Sequence, residues 1–481
     1  MSIGNKFLNC AWRAYYFLVA EMRATEWVRP WDVSGKVQLF MALLSSGVWS
    51  CRWVVLACVG MVAGAQAQGT MRFECGGGSG RAVGLSAATV FPAAAEAGKA
   101  AYGFDLKTVP ASFANRSCAS DKPFFFSTAV PDGNYRVTVA LGGKAASTTT
   151  LRAESRRLLL MEKNVAAGAT DTEEFVLNVR TPEIGDSGTK VKLKPREIGA
   201  LDWDNKLTLE FNGEHPAVRS ITVTPVKDVP TLYLAGDSTV VDQDKEPWAA
   251  WGQMLPAFFG PGLAIANHAE SGETIKSFVG EKRLEKVMST IKAGDYLAMQ
   301  FAHNDQKPGG GYVPAATDYK SFLKSYISQA RAKGATPILV TSMNRRTFGP
   351  GGKRTGTLDE YAAAMREVAA EEKVALIDLN AKSKTLYEAL GDEGTLRAFV
   401  HYPANTFPGQ TEELKDDTHF NAYGAYELAR IVVQEIKDQR LPIAPYLRKG
   451  IAAFNPARPD ALAAWHLPAS PAISIETPYG R

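Results

Sequence analysis

From residue 231 onward the chain alternates unbroken apolar runs with amphipathic stretches, and this alternation limits the fold more than any other feature. The runs are TLYLA, LAIAN, DYLAMQFA, TPILVTS and VALIDLN. A strand buried on one face alternates apolar and polar residues, so runs this unbroken suit strands covered on both faces, as in a parallel sheet. Between them, WAAWGQMLPAFF, RLEKVMSTIKAG, DYKSFLKSYISQARAKG and TLDEYAAAMREVAAEEK read as helices. Two of these stop at a glycine, and the last opens with Thr357 and Glu360 at capping-box spacing. The pattern predicts a doubly wound α/β domain over residues 229–445. In such a sheet, ligands sit at the carboxyl ends of the strands.

Residues 68–228 show a different period. PFFFSTAV, NYRVTVAL, EFVLNVR, KLTLEFN and SITVTPV are short runs separated by turn signals. In NYRVTVAL every second residue (Tyr135, Val137, Val139, Leu141) is apolar, the period of a half-buried strand. The expectation is an all-β sandwich domain, a candidate carbohydrate-binding module, joined to the α/β domain by a linker at KDVP, 227–230. No element is readable in the Pro- and Ala-rich tail, 446–481.

The first 67 residues do not resemble part of either domain. WVVLACVGMVAGAQA, 53–67, is an apolar segment behind Arg52 that ends in Ala-Gln-Ala, as a signal peptide does before cleavage. It is shorter than the roughly 18–20 residues a membrane span needs. Residues 1–40 make the leader overlong, so Met41 is the expected true start. The expected location is secreted or periplasmic, with no membrane contact after cleavage. Of a formal net charge of +4, all but about +1 lies in this leader, which leaves no electrostatic case for nucleic acid. Cys10, Cys51 and Cys58 leave with it. Cys75 and Cys118 remain, and a pair of cysteines in an exported protein suggests a disulfide, the alternative being two buried thiols.

The first apolar run delivers Gly236-Asp237-Ser238 to its carboxyl end. Those residues suit a turn, and the serine also suits a nucleophile if a base and an acid can reach it. Among six histidines, His419 stands out, because DDTHF sets Asp416 three residues before it, on a loop ahead of an amphipathic stretch. Taken alone, that cluster also suits a helix cap. Gly272 in ESGETIKSF and Asn304 in MQFAHND offer donors for a developing oxyanion, and each equally suits an ordinary turn or strand end.

GDST, the glycine of ESGETIKSF, AHND and DDTHF stand in the order of the four blocks of SGNH (GDSL-type) hydrolases. LAGDSTV, the tryptophans of PWAAWGQML, HNDQK, VTSMNRRTF and DDTHFNAYGAYELA resemble more closely the rhamnogalacturonan acetylesterase branch, in its bacterial two-domain form. The resemblance covers roughly 229–440. It implies an SGNH three-layer α/β fold, with Ser238 as nucleophile and His419 as general base. Asp416 would orient His419, with Asp417 the alternative, and Ser238 N–H, Gly272 N–H and the Asn304 amide would form the oxyanion hole. Two departures stand out: Ala302 replaces a glycine before His-Asn-Asp, and Glu273 follows Gly272 where a basic or small residue is common.

The implied activity is removal of O-acetyl groups from a pectic polysaccharide, with no metal or other cofactor. Arg345 and Arg346 would meet uronate carboxylates, and Trp248, with Trp251, a sugar face. For the arginines a solvated loop pair is an equal reading, and for the tryptophans ordinary packing is the commoner one. The alternatives are a lipase, thioesterase or xylan acetylesterase on the same scaffold, or a non-catalytic carbohydrate binder.

Overall fold

The computed structural model describes residues 69–93, 101–186, 188–349 and 355–478. The expected leader, with its expected cleavage site and alternative start, lies outside them. Among the described residues no helix is long and apolar enough to cross a membrane.

All five apolar runs form parallel strands, Thr231–Gly236, Ala264–Asn267, Tyr296–Gln300, Thr336–Val340 and Ala375–Ile377. Numbered along the chain, they lie in the order 2-1-3-4-5. Successive side chains go to opposite faces. Leu232 and Leu234 pack with Trp251, Tyr387, Tyr423, Leu428 and Val432 on one side. Tyr233 and Ala235 pack with Phe278, Val287, Tyr326 and Met365 on the other. The result is a three-layer α/β sandwich. The first and third strands are neighbours where the order reverses, so the segments after Gly236 and Gln300 open into the same crevice.

The described residues between 71 and 226 form strands and a few 3-10 turns. A sheet ordered 102–105, 124–129, 206–212, 147–153 and 157–165 packs against strands including 133–141 and 217–226. Phe124, Phe126, Leu207 and Leu209 from one sheet meet Val137, Val139, Ile221 and Val223 from the other. This β part is joined edge to edge to the α/β part, because Asp171–Val179 lies beside Ala264–Asn267 with Leu177 opposite Ile265. KDVP is correspondingly held in place: Val229 is buried with Val176 and Ala264, and Ala264 N–H donates to Pro230 O at 3.0 Å. Cys75 and Cys118 form a disulfide across 43 residues.

The helix expected to open at a capping box runs Asp359–Glu372 behind Leu358, with no side-chain cap. Among the described residues, Thr357 Oγ is buried without a hydrogen-bond partner. The WAAWGQMLPAFF stretch forms only a short helix, Trp251–Met254, and a 3-10 turn, Leu255–Phe258, since Pro256 removes a donor.

Candidate active site

Strand Thr231–Gly236 ends on a glycine that has no room for a side chain. A Cβ there would stand 2.6 Å from Val240 Cγ2 and 2.9 Å from the Gln300 carbonyl oxygen. The chain then turns at once. Asp237 Oδ1 accepts the Thr239 N–H at 2.9 Å and hydroxyl at 2.7 Å, and Asp237 O accepts Val240 N–H at 3.0 Å. Ser238 sits inside this turn, its carbonyl accepting Gln243 Nε2 at 3.0 Å.

Asp416 and His419 reach Ser238 from a strand end rather than the loop expected from sequence. Leu414–Phe420 pairs with Phe399–Tyr402, with Val400 opposite Asp416 and Phe399 opposite Phe420. Three residues, 417–419, are therefore bulged out between neighbouring pairs, and a bulge re-aims side chains that a flat strand would send to alternate faces. His419 Nδ1 lies 2.8 Å from Asp416 Oδ2, and His419 Nε2 lies 2.8 Å from Ser238 Oγ. Asp416 Oδ1 also accepts the backbone N–H groups of Thr418 at 2.8 Å and His419 at 3.0 Å. Burial pushes the Asp416 carboxyl up, but these bonds and the imidazole outweigh it and hold its pKa below the usual carboxylate value.

The other histidines are placed elsewhere. His268 and His303 are buried, and desolvation with nearby cations pushes both well below the ordinary imidazole value. His215, His401 and His466 pair with Asp121, Asp417 and Glu162. Among the described residues, His419 alone contacts a serine hydroxyl.

Gly272 has φ of +81°, a conformation glycine adopts without strain. Among the described residues, neither its N–H nor that of Ser238 donates to a protein acceptor. One Asn304 amide hydrogen donates to Glu273 O at 3.0 Å, which holds the side chain and leaves a second hydrogen to donate. Asp305 Oδ1 accepts Ile275 N–H at 2.8 Å, tying the Asn304 segment to the Gly272 segment. Ala302 has φ of +153°, so the methyl that replaces a glycine sits on a backbone that disfavours side chains. Glu273, the second departure, is buried with Lys194, Arg283 and Ser277 around its carboxylate.

The proposed substrate contacts are differently employed. Trp248 is 2% exposed and sets its ring at 90° to His419, centroids 6.0 Å apart, so it offers no open face to a sugar. Arg345 donates to Thr418 Oγ at 2.7 Å and His303 O at 2.9 Å, stapling the Asn304 segment to the His419 bulge. Arg346 pairs with Asp417 at 3.1 Å and with Asp392. Asp417 is thereby held by Arg346 and His401, not by His419. Lys307, unremarked in the sequence beyond its place in HNDQK, is half-buried beside the site. Desolvation and Arg345 outweigh the attraction of Asp237 and Asp416 and hold its pKa below the ordinary lysine value.

Residues 234–426 match the GDSL-like Lipase/Acylhydrolase family. Rhamnogalacturonan acetylesterase RhgT of Bacillus subtilis (strain 168) is 44% identical over 218 residues, covering 45% of this chain and 93% of that protein. Probable rhamnogalacturonan acetylesterase YesY of the same organism is 36% identical over 222 residues, covering 45% and 97%. Among solved structures, that of protein YxiM from Bacillus subtilis is similar at a TM-score of 0.42 and 28% identity, over 80% of this chain and 100% of that one.

Proposed function

The chain belongs to the GDSL-like lipase/acylhydrolase family, among its rhamnogalacturonan acetylesterases, and from that premise we propose that it removes O-acetyl groups from pectic rhamnogalacturonan through an acyl-enzyme on Ser238. As a member it is a carboxylic ester hydrolase. The observation that carries the serine mechanism is the continuous hydrogen-bonded line from Ser238 Oγ through His419 to Asp416.

His419 Nε2 takes the hydroxyl proton as Ser238 Oγ attacks the acetyl carbonyl. Asp416 fixes the imidazole with Nδ1 protonated and stabilises the imidazolium that forms. The N–H groups of Ser238 and Gly272 and the Asn304 amide meet the oxyanion, each such donor being worth roughly 3 kcal/mol of transition-state stabilisation. His419 returns the proton to the departing sugar oxygen. A water, deprotonated in turn by His419, attacks the serine ester, and acetate leaves as His419 returns the proton to Ser238 Oγ. The relatives' names support the pectic substrate, and the leader at 53–67 supports export. The test compares acetate release from acetylated rhamnogalacturonan and acetylated xylan with fatty-acid release from a long-chain ester. Preference for either of the last two would overturn the substrate assignment.

A further inference from the structure

The tail that carried no readable element returns to the active site. Glu246 N–H donates to Ala472 O and Ser474 N–H to Glu246 O, both at 2.8 Å, so 472–474 lies beside Glu246 as a strand would. Trp248 Nε1–H donates to Ser474 O at 3.3 Å. On its other side the same segment meets the base, since Ala249 N–H donates to Phe420 O at 2.8 Å and Trp248 packs against His419. The segment 246–249 is thus gripped between the tail and the His419 bulge.

The tail is itself anchored on the β part. Ser470 Oγ donates to Glu210 Oε2 at 2.9 Å, Asn212 Nδ2 to Ala469 O at 2.9 Å, and Arg152 to Pro468 O. Ser470 N–H donates to Glu246 Oε1 at 3.0 Å. The β part holds the segment directly as well, through Arg156 donors to Gln243 O at 3.0 Å and Trp248 O at 2.8 Å.

We infer that residues 466–474 are an intramolecular strap that makes Trp248 a positioning residue for His419, holding the imidazole on Ser238 while touching no substrate. Asp416 fixes one ring nitrogen, but a single hydrogen bond leaves the ring free to tilt about it. The buried indole closes the space into which it would tilt. The inference rests on the serine mechanism for its kinetic consequence, but the placement of the imidazole is measurable without turnover.

The test uses the full-length protein with Trp248→Ala, Trp248→Phe and Ser474→Pro, which removes the Ser474 donor, and a chain ending at Trp465. A misplaced catalytic group costs about 10²-fold. Trp248→Ala, Ser474→Pro and the shortened chain should lose roughly that much kcat on p-nitrophenyl acetate with KM unchanged, and Trp248→Phe should lose less. A synthetic peptide of residues 466–478 should restore the shortened chain. If that chain does not fold, Ser474→Pro and Trp248→Ala, checked by circular dichroism, carry the test. The downfield proton resonance of His419 Nδ1–H, read against Asp416→Asn, should broaden or shift in Trp248→Ala. An unchanged resonance with wild-type kcat would overturn the positioning role. A moved resonance in an enzyme whose activity survives Ser238→Ala would overturn the serine mechanism alone.

Discussion

Ser238 Oγ and His419 Nε2 lie 2.8 Å apart across 181 residues of chain, one at the end of the first parallel strand and the other on a bulge of a separate hairpin. Neither element makes a site alone. The contact depends on Asp416, because its carboxylate holds both the imidazole and the backbone of the bulge.

Two adjacent acids should therefore behave differently. Asp416→Asn presents a donor where His419 needs an acceptor, and should lower kcat by about 10³–10⁴-fold. Asp417→Asn weakens pairs with Arg346 and His401 and should leave kcat within about threefold, exposed pairs being worth roughly 0–1 kcal/mol. Steady-state kinetics on a small acetate ester separates the two.

Asn304→Ala removes a candidate oxyanion donor and the bond to Glu273 O. It should lower kcat by about 10²–10³-fold with little change in KM. The lost hydrogen bond should cost about 1 kcal/mol in denaturant unfolding.

Ala302 holds a conformation that costs a non-glycine residue about 1–3 kcal/mol. Glycine adds roughly 0.5–1 kcal/mol of unfolded-state entropy. The strain outweighs that entropy, so Ala302→Gly should raise Tm or leave it unchanged. A clear fall in Tm would show that the methyl packs to advantage.

Burial pushes the Asp305 carboxyl up to about 8, and among the described residues its Oδ2 has no hydrogen-bond partner. Its folded pKa thus lies above the unfolded value of about 3.9, so the native state binds the extra proton between them. Stability from this group is full below about pH 4 and falls as pH rises towards 8. Asp305→Asn keeps an acceptor for Ile275 N–H and should flatten that fall, with its gain in Tm larger at pH 8.5 than at pH 5. Asp416 works in the opposite sense: its depressed pKa gives stability present above about pH 4 and lost in stronger acid.

The α/β sheet, and Ser238, Asp416 and His419 as residues that could come together, were legible in the sequence because their signals are local. Unbroken apolar runs report burial on both faces, and GDS and DDTH fix residue types at fixed spacing. The bulge at 417–419 was not legible, since it depends on register against Phe399–Tyr402. Trp248 and Trp251 at helical spacing pointed more to packing than to a sugar, and only the tail's position explains why Trp248 faces His419. Arg346 reads as a free cation until Asp392 and Asp417 are seen beside it. Thr357 and Glu360 had the spacing of a capping box, yet the helix starts after Leu358. The tail is unreadable because its order comes from backbone bonds to Glu246 and to the β part, which no side-chain pattern records.

The most direct test of the serine mechanism is labelling with a fluorophosphonate, followed by intact mass and peptide mapping. One adduct should form, on the peptide containing Ser238, and acetate release should disappear in step with it. Ser238→Ala should fold, take no label and release no acetate. A label on another residue, or acetate release that survives Ser238→Ala, would contradict the account.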